Sequence, residues 1–158
     1  MTWRRPVRWS GAVPGLAAPV LAASVLVLGA CADPPPSAPV TPIGSVEITA
    51  ALDVVNAATG SAAAQRAALA SVTDPAGRPA LDRCPAATRT VRFQPVLGAV
   101  TAAPGFTDAE GHSLPGTAVA VPTLVRVYAD GALSTTEITV LHVGLVDGTA
   151  RLAPLCLG

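Results

Sequence analysis

The chain has 158 residues, and ten arginines balance ten acidic residues, so its formal net charge is zero. Only 13% of the residues are charged, which leaves no basic field for a phosphate backbone and excludes a nucleic-acid partner. Hydrophobic residues make up 51% of the chain, which is too many for a disordered tail. A chain of this length has room for one domain at most.

The N-terminal segment has the composition of an export signal. Its first nine residues include three arginines and no acid, and residues 11–30 carry no charge. The apolar stretch Leu16–Leu28 has the length of a signal-peptide core. An uncleaved transmembrane anchor is the alternative, but Pro14, Gly15 and Pro19 fit a signal peptide better. An arginine pair also raises the twin-arginine export route, although a proline follows it.

The signal ends in Leu28-Gly29-Ala30-Cys31 and there resembles the signal of bacterial lipoproteins. In that family the cysteine thiol is alkylated with diacylglycerol before the signal is cleaved. The resemblance implies that residues 1–30 are removed and that Cys31 anchors the protein in membrane lipid on the extracytoplasmic face. Each buried CH₂ of an acyl chain contributes about 0.8 kcal/mol, so two chains attach a protein stably.

A proline-rich segment follows the cysteine and shows no apolar periodicity. Such segments adopt extended polyproline II at about 3.1 Å per residue, so this one can hold a domain roughly 30 Å from the lipid. We therefore predict a lipid-anchored linker over residues 31–43 and a single domain over residues 44–158. A proline-binding partner is the less favoured alternative.

Two further cysteines, Cys84 and Cys156, belong to the exported part of the chain. A pair of cysteines in an oxidising compartment favours a disulfide, and closing a loop of this length stabilises by roughly 4 kcal/mol on the chain-entropy model. Two separate buried thiols are the alternative. The sequence has no Cys-x-x-Cys spacing of a zinc or redox motif, and we predict no metal and no cofactor.

Two helices are predicted after the linker. Apolar residues recur with helical period from Ser45, which can cap the first turn, and Gly60 ends the helix. Ser61 opens a second, Ala-rich helix that closes at residues 74–77. Buried Ala contributes little, so both helices are expected to depend on packing against a sheet. The predicted buried faces are Ile48, Ala51, Leu52 and Val55, and then Ala64, Ala68, Leu69 and Val72.

The remaining chain is predicted to form strands. Alternation over Thr88–Gln94 indicates a strand, which Pro95 places near an edge or a bulge. Residues 101–116 contain too many Gly and Pro for regular structure. Asp-Gly dipeptides at 130–131 and 147–148 then predict hairpins between three β-rich segments. These segments are Thr117–Ala129, Leu133–Val146 and Thr149–Leu155. Helices followed by an antiparallel meander indicate an α+β domain with helices on one face of a curved sheet.

The order of parts supports a more specific resemblance. A lipobox and tether precede the helical pair, the strand Val91–Pro95, and hairpins that end in Val146-Asp147-Gly148 before a last strand with Cys156. From Ser45 to Cys156 this order resembles exported actinobacterial proteins of the low-molecular-weight antigen family. The resemblance implies a fold similar to nuclear transport factor 2, in which a cone-shaped sheet wraps over helices.

Related cone folds include enzymes that hold a carboxylate or a His inside the cavity as general base. The candidates here are His142, Tyr128, Asp130 and Glu137. His142 shares parity with Ile138 and Val140 and is expected to face the core. Glu137 lies on the opposite face, and Asp130 belongs to a turn. A shared catalytic site is not favoured, and no catalytic residue is assigned.

Asp108, Glu110 and His112 alternate in the long loop, which is metal-like spacing. A loop rich in Gly and Pro does not hold ligands rigidly, so an ordinary acidic loop is the favoured interpretation. The sequence also has no nucleophile elbow, phosphate-binding loop, paired-His zinc helix or dinucleotide fingerprint. We assign no metal site and exclude the enzyme classes that carry those motifs.

Together these features predict a non-enzymatic, lipid-anchored cell-envelope protein that binds a small apolar ligand or an envelope protein partner. The cone resemblance suggests a concave apolar sheet lined by residues such as Val119, Val121, Val125, Val127 or Val140. A structural or accessory lipoprotein acting through a sheet face, as a homodimer or beside another complex, is the first alternative. Both faces of residues 133–146 carry apolar groups, which suggests a covered outer face. A cone-fold enzyme is the second alternative.

Overall fold

A computed structural model describes residues 43–157. The predicted signal peptide, Cys31 and the linker up to residue 42 lie outside the described residues. In the described part, three helices precede a curled antiparallel sheet of five strands, which confirms the predicted α+β class. The helices are α1 (Ser45–Ala57), α2 (Ala62–Val72) and α3 (Arg78–Asp82). The strands are β1 (Thr90–Pro95), β2 (Thr101–Ala102), β3 (Thr117–Ala129), β4 (Ala132–Val146) and β5 (Thr149–Leu152).

Helix α1 buries the face that its periodicity predicts. The four buried residues are Ile48, Ala51, Leu52 and Val55. The start of the helix differs from the prediction, because Ser45 is its first helical residue and makes no capping bond. Gly44 precedes it with a φ of 70°, and a Cβ there would collide with the Leu145 side chain. Glycine is therefore the residue that this close approach and backbone conformation accept.

Helix α2 begins as predicted, because the Ser61 hydroxyl accepts a hydrogen bond from the Ala64 N–H at 3.4 Å. Its buried face differs from the predicted one. Leu69 and Val72 are buried, but Ala64 is exposed, and the third buried residue is the polar Gln65. The helix thus turns an amide rather than a methyl group towards the sheet.

The amides of Gln65 and Asn56 join the helices to strand β1. Gln65 Nε2 donates to the carbonyl oxygens of Val91 at 2.5 Å and Val55 at 3.2 Å, and its Oε1 accepts from Val91 N–H at 2.8 Å. Asn56 makes the equivalent pair of bonds with the backbone of Phe93, at 2.8 and 2.9 Å. Since β1 pairs with β3 on one side only, these two amides bond the backbone groups of its other edge.

The sheet is built on the hairpin of β3 and β4, and its strand order is β1-β3-β4-β5 with β2 also paired to β3. Both residues of each Asp-Gly dipeptide have positive φ, between 46° and 79°, as the predicted two-residue hairpin turns require. The predicted meander and the edge position of β1 are confirmed. The last strand ends at Leu152 rather than Leu155. Ala153 still donates its N–H to the His142 carbonyl, but Pro154 has no N–H with which to continue the pairing.

Cys84 and Cys156 lie side by side at bonding distance, with Cα atoms 5.4 Å apart and a sequence separation of 72. This geometry is compatible with the predicted disulfide. The pair connects the segment after α3 to the C-terminal tail that follows β5. The pair therefore holds the C-terminal tail close to the segment that leads into β1.

Replacing Gln65 tests the amide connection to β1. In Gln65→Ala the buried backbone groups of Val91 lose their partners, and we expect the free energy of unfolding to fall by about 3 kcal/mol. Urea denaturation followed by circular dichroism measures the change. Gln94→Ala, at an exposed position of the same strand, is the matched control and should alter stability by less than about 0.5 kcal/mol. Equal effects of the two substitutions would contradict the assignment.

Candidate functional site

The inner face of the sheet, which faces the helices, is apolar. Its buried residues include one polar residue, Thr123, and otherwise Val91 and Phe93 in β1, Val119, Val121, Val125 and Val127 in β3, Leu141 and Val143 in β4, and Ala150 and Leu152 in β5. Helix α1 packs against β1 and β5, and α2 packs against β5. Residues 132–140 of β4 are all exposed, so the helices leave the first half of this strand uncovered.

A cavity of about 360 Å³ lies at this uncovered end of the sheet. We call it the inner-face cavity. Its apolar lining is formed by Val91, Phe93, Val125, Val127 and Leu141 of the sheet, with Leu155 and Leu157 of the tail. A mostly apolar wall with few polar groups, at a volume of about 300–1,000 Å³, is typical of small-molecule binding sites.

The polar residues of the inner-face cavity are Arg89, Glu137 and Thr139. Glu137 is placed by the register, which pairs it with Val125 and so puts it on the inner face. Arg89 directly precedes β1, and its shared parity with Val91 was visible in the sequence. Within residues 43–157 neither Arg89 nor Glu137 takes part in an ion pair. The opening therefore carries one cationic and one anionic group beside an apolar wall.

The structure divides the five valines that were expected to line a concave site. Val125 and Val127 line the inner-face cavity. Val119 and Val121 are fully buried in the core outside it. Val140 also borders the inner-face cavity. Its parity is opposite to that of buried Leu141, and 48% of its surface is exposed.

His142 lies on the outer face of the sheet, so the prediction that it faces the core is wrong. Its ring stacks on Phe106, with 3.9 Å between the ring centroids, because the long loop folds over this face. Ile138 has the same parity as His142, and 81% of its surface is exposed. Burial of the His142 ring lowers its pKa below the usual value, since the charged form is poorly solvated there.

The four candidate catalytic residues do not form one site. His142 pairs with Ala120, whereas Tyr128 pairs with Leu133 at the other end of the hairpin. At about 3.4 Å per residue the two positions on β3 are roughly 27 Å apart. Glu137 projects from the opposite face to His142, and Asp130 occupies the turn. Parity was sufficient to predict this separation, although not which face is buried.

The loop does bring Asp108, Glu110 and His112 together, with ligand atoms within 4.8 Å of one another. The Asp108 carboxylate accepts hydrogen bonds from the backbone N–H groups of His112 at 2.8 Å and Glu110 at 3.0 Å, and it contacts His112 Nδ1 at 3.0 Å. Desolvation raises the pKa of Asp108, but these hydrogen bonds outweigh it and lower the pKa overall. Glu110 pairs with Arg83. The hydrogen bonds of this cluster close the loop and account for its arrangement. We therefore assign no metal site.

A second cavity, of about 430 Å³, lies between this loop and the C-terminal tail. Its lining includes Phe106, Asp108 and Glu110 of the loop and Arg83 and Pro154 opposite them. The charged groups here already bond to one another, since Arg83 pairs with Glu110 and Asp108 with His112. The inner-face cavity therefore remains the better candidate for a ligand.

No protein-family model matches the chain, and neither the curated proteins nor the solved structures compared with it give a match. Among residues 43–157, no helix is both long enough and apolar enough to cross a membrane. The functional argument therefore depends on the geometry described above and on the sequence motifs.

The lowered pKa of His142 makes the stability of the fold depend on pH. An unfolded His titrates near pH 6.5, so the unfolded chain binds the proton first and stability is lost as pH falls from about 7.5 towards the folded-state pKa. We expect wild type to lose more unfolding free energy between pH 8 and pH 5 than His142→Gln does. Urea denaturation at pH 8 and at pH 5 measures these losses. Both proteins also carry His112→Gln, so that the difference between them comes from His142. Identical losses would contradict its assigned environment.

Proposed function

We propose that this protein is a lipid-anchored component of the cell envelope that binds a small apolar ligand in the inner-face cavity without transforming it. One observation carries the ligand part of this proposal, namely the cavity of about 360 Å³ between the sheet and the tail. Its wall is apolar, and its ionisable residues, Arg89 and Glu137, are exposed at the opening. Such a site favours a molecule with an apolar body and a polar end.

The location is supported by sequence motifs and by the cysteine pair. The lipobox ending in Cys31 and the proline-rich linker over residues 31–43 follow the order of a lipoprotein N-terminus. The closeness of Cys84 and Cys156 agrees with an oxidising compartment outside the cytoplasm. A membrane-attached domain with an open apolar cavity is well placed to take up a lipid-like molecule.

The α+β arrangement is compatible with a cone similar to nuclear transport factor 2. In such a cone, helices packed on one face of a curled antiparallel sheet leave a cavity on the inner face of the sheet, and the inner-face cavity agrees with this arrangement. Folds of this shape host unrelated functions, so the shape supports ligand binding only together with the cavity lining. An enzyme of this shape is less favoured because His142, Tyr128 and Glu137 do not converge.

A second candidate function is that of an accessory lipoprotein acting through the sheet. It is favoured by the exposed apolar residues of the outer face, among them Ile138 at 81% and Val140 at 48% exposure. Isolated exposed apolar residues are ordinary, but neighbours on one strand form a patch. This function uses mainly the outer face of β4, although Val140 of the patch also borders the inner-face cavity.

The lipid anchor predicts a specific intact mass. When the chain is produced in a bacterium that processes lipoproteins, we expect residues 31–158 with a diacylglyceryl group on Cys31. Mass spectrometry of the membrane fraction measures this directly. Cys31→Ser should keep residues 1–30, whereas Cys84→Ser, which replaces a cysteine of the described domain, should be processed normally. A wild-type mass that includes Met1 without added lipid would refute the anchor.

Filling the inner-face cavity tests ligand binding separately. N-phenyl-1-naphthylamine, an apolar fluorescent probe, should bind the wild-type chain and bind Thr139→Trp at least about tenfold more weakly, a loss of about 1.4 kcal/mol. Thr136→Trp is the matched control, because it is exposed on the opposite face of the same strand and should leave binding unchanged. Absence of binding by wild type, or equal binding by both variants, would remove the ligand part of the proposal.

A further inference from the structure

Strand β4 has a free edge along its first half. Strand β5 pairs only with residues 143–146, and the tail adds one bond, from Ala153 N–H to the His142 carbonyl. The backbone groups of alternate residues in a strand point to the same side. Thr136, Ile138 and Val140 therefore direct their N–H and C=O groups away from β3. Among residues 43–157 no further backbone or side-chain hydrogen bond reaches these groups.

The opposite edge of the sheet is formed by β1, and its outward backbone groups are hydrogen-bonded. The outward backbone groups of Val91 and Phe93 in β1 are bonded by Gln65 and Asn56, and Pro95 ends the strand. Residues 135–141 of β4 contain no proline and no lysine, and they pair with β3 without a bulge. An edge without such protection is a template for another strand.

Two of the three outer-face side chains along the free edge, those of Ile138 and Val140, are apolar, and the third is Thr136. Ile138 is 81% exposed and lies at the centre of the unpaired stretch, with Val140 two residues further on. Leu124 pairs with Ile138 from β3 and extends the apolar surface inward from the edge. An added strand with apolar residues on that face would cover this surface while bonding the edge.

We propose that a second copy of the chain adds its own β4 antiparallel to this edge, with the two-fold axis passing through Ile138. In that register Ile138 faces Ile138 of the second copy. Thr136 of each copy faces Val140 of the other copy. Each of these pairs exchanges two backbone hydrogen bonds. A strand that is its own partner in this way forms a closed, symmetric pair rather than an open filament.

Charge and existing bonds select this register over its neighbours. A two-fold axis through Glu137 would place two carboxylates directly opposite each other, which is destabilising. An axis through Thr139 would pair Thr136 with His142, whose carbonyl oxygen already accepts the bond from Ala153. An axis through Ile138 instead sets Glu137 opposite Thr139 of the second copy on the inner face. The contact uses backbone groups and the outer face of β4, and Glu137, Thr139 and Val140 of the same strand also border the inner-face cavity.

Cysteine cross-linking of the full chain in membranes tests the pairing. Facing residues of such a pair have Cα atoms about 5.5 Å apart, within the range of a disulfide. Under mild oxidation Ile138→Cys should give a reducible dimer of twice the chain mass. Ser134→Cys is the matched control on the same strand, because the register puts its two copies roughly 27 Å apart. Val46→Cys, at 72% exposure on α1, controls for random collision.

A dimer with Ile138→Cys alone would support the proposal. Cross-linking no stronger than that of Val46→Cys, equal cross-linking of Ser134→Cys, or a product with a different mass would overturn it. Gel filtration of the full chain in detergent gives a second reading. Ile138→Pro removes the outward N–H together with the Ile side chain and should be monomeric, whereas Ile138→Thr replaces the side chain but keeps that N–H and should remain dimeric. If both variants stay dimeric, or if wild type is monomeric, pairing through this edge is refuted.

Discussion

The structure depends on one mismatch of length, between a long hairpin and the short elements that cover it. Strands β3 and β4 have 13 and 15 residues, whereas β1 has 6 and β5 has 4. The flanking strands pair with different ends of the hairpin, so one half of β4 has neither a neighbour at its edge nor a helix against its inner face. The inner-face cavity, the free edge and the exposed outer face all lie in this half.

The other half of the hairpin shows how the same strands look when they are covered. Strand β5 pairs with residues 143–146 on one side, and the stack of Phe106 on His142 covers the outer face. Gly144 allows the loop to lie close, because a Cβ there would collide with the Pro115 carbonyl. The contrast within one pair of strands shows that the lack of cover is confined to the first half of β4.

Polar side chains hold the helices to the sheet where apolar volume is scarce. Helix α2 is mostly alanine, and its buried face contains Gln65 between Leu69 and Val72. An amide that bonds both the N–H and the C=O of one strand residue satisfies backbone groups that no neighbouring strand reaches. Hydrogen bonds of Gln65 and Asn56 thus position β1, and with it the Val91 and Phe93 walls of the cavity.

The sequence by itself determined helices α1 and α2, strand β1 and the hairpins, but it missed α3 and it predicted no regular structure at β2. Two Asp-Gly dipeptides and alternating residues are local signals, and a local signal is sufficient to set a turn and the parity of a strand. It did not determine which parity is buried in β4, because both faces carry apolar residues; only packing against α1 and the loop decided that His142 and Val140 lie outside. The buried role of Gln65 and the free edge of β4 were likewise tertiary outcomes, since each depends on which strands are neighbours and where they end.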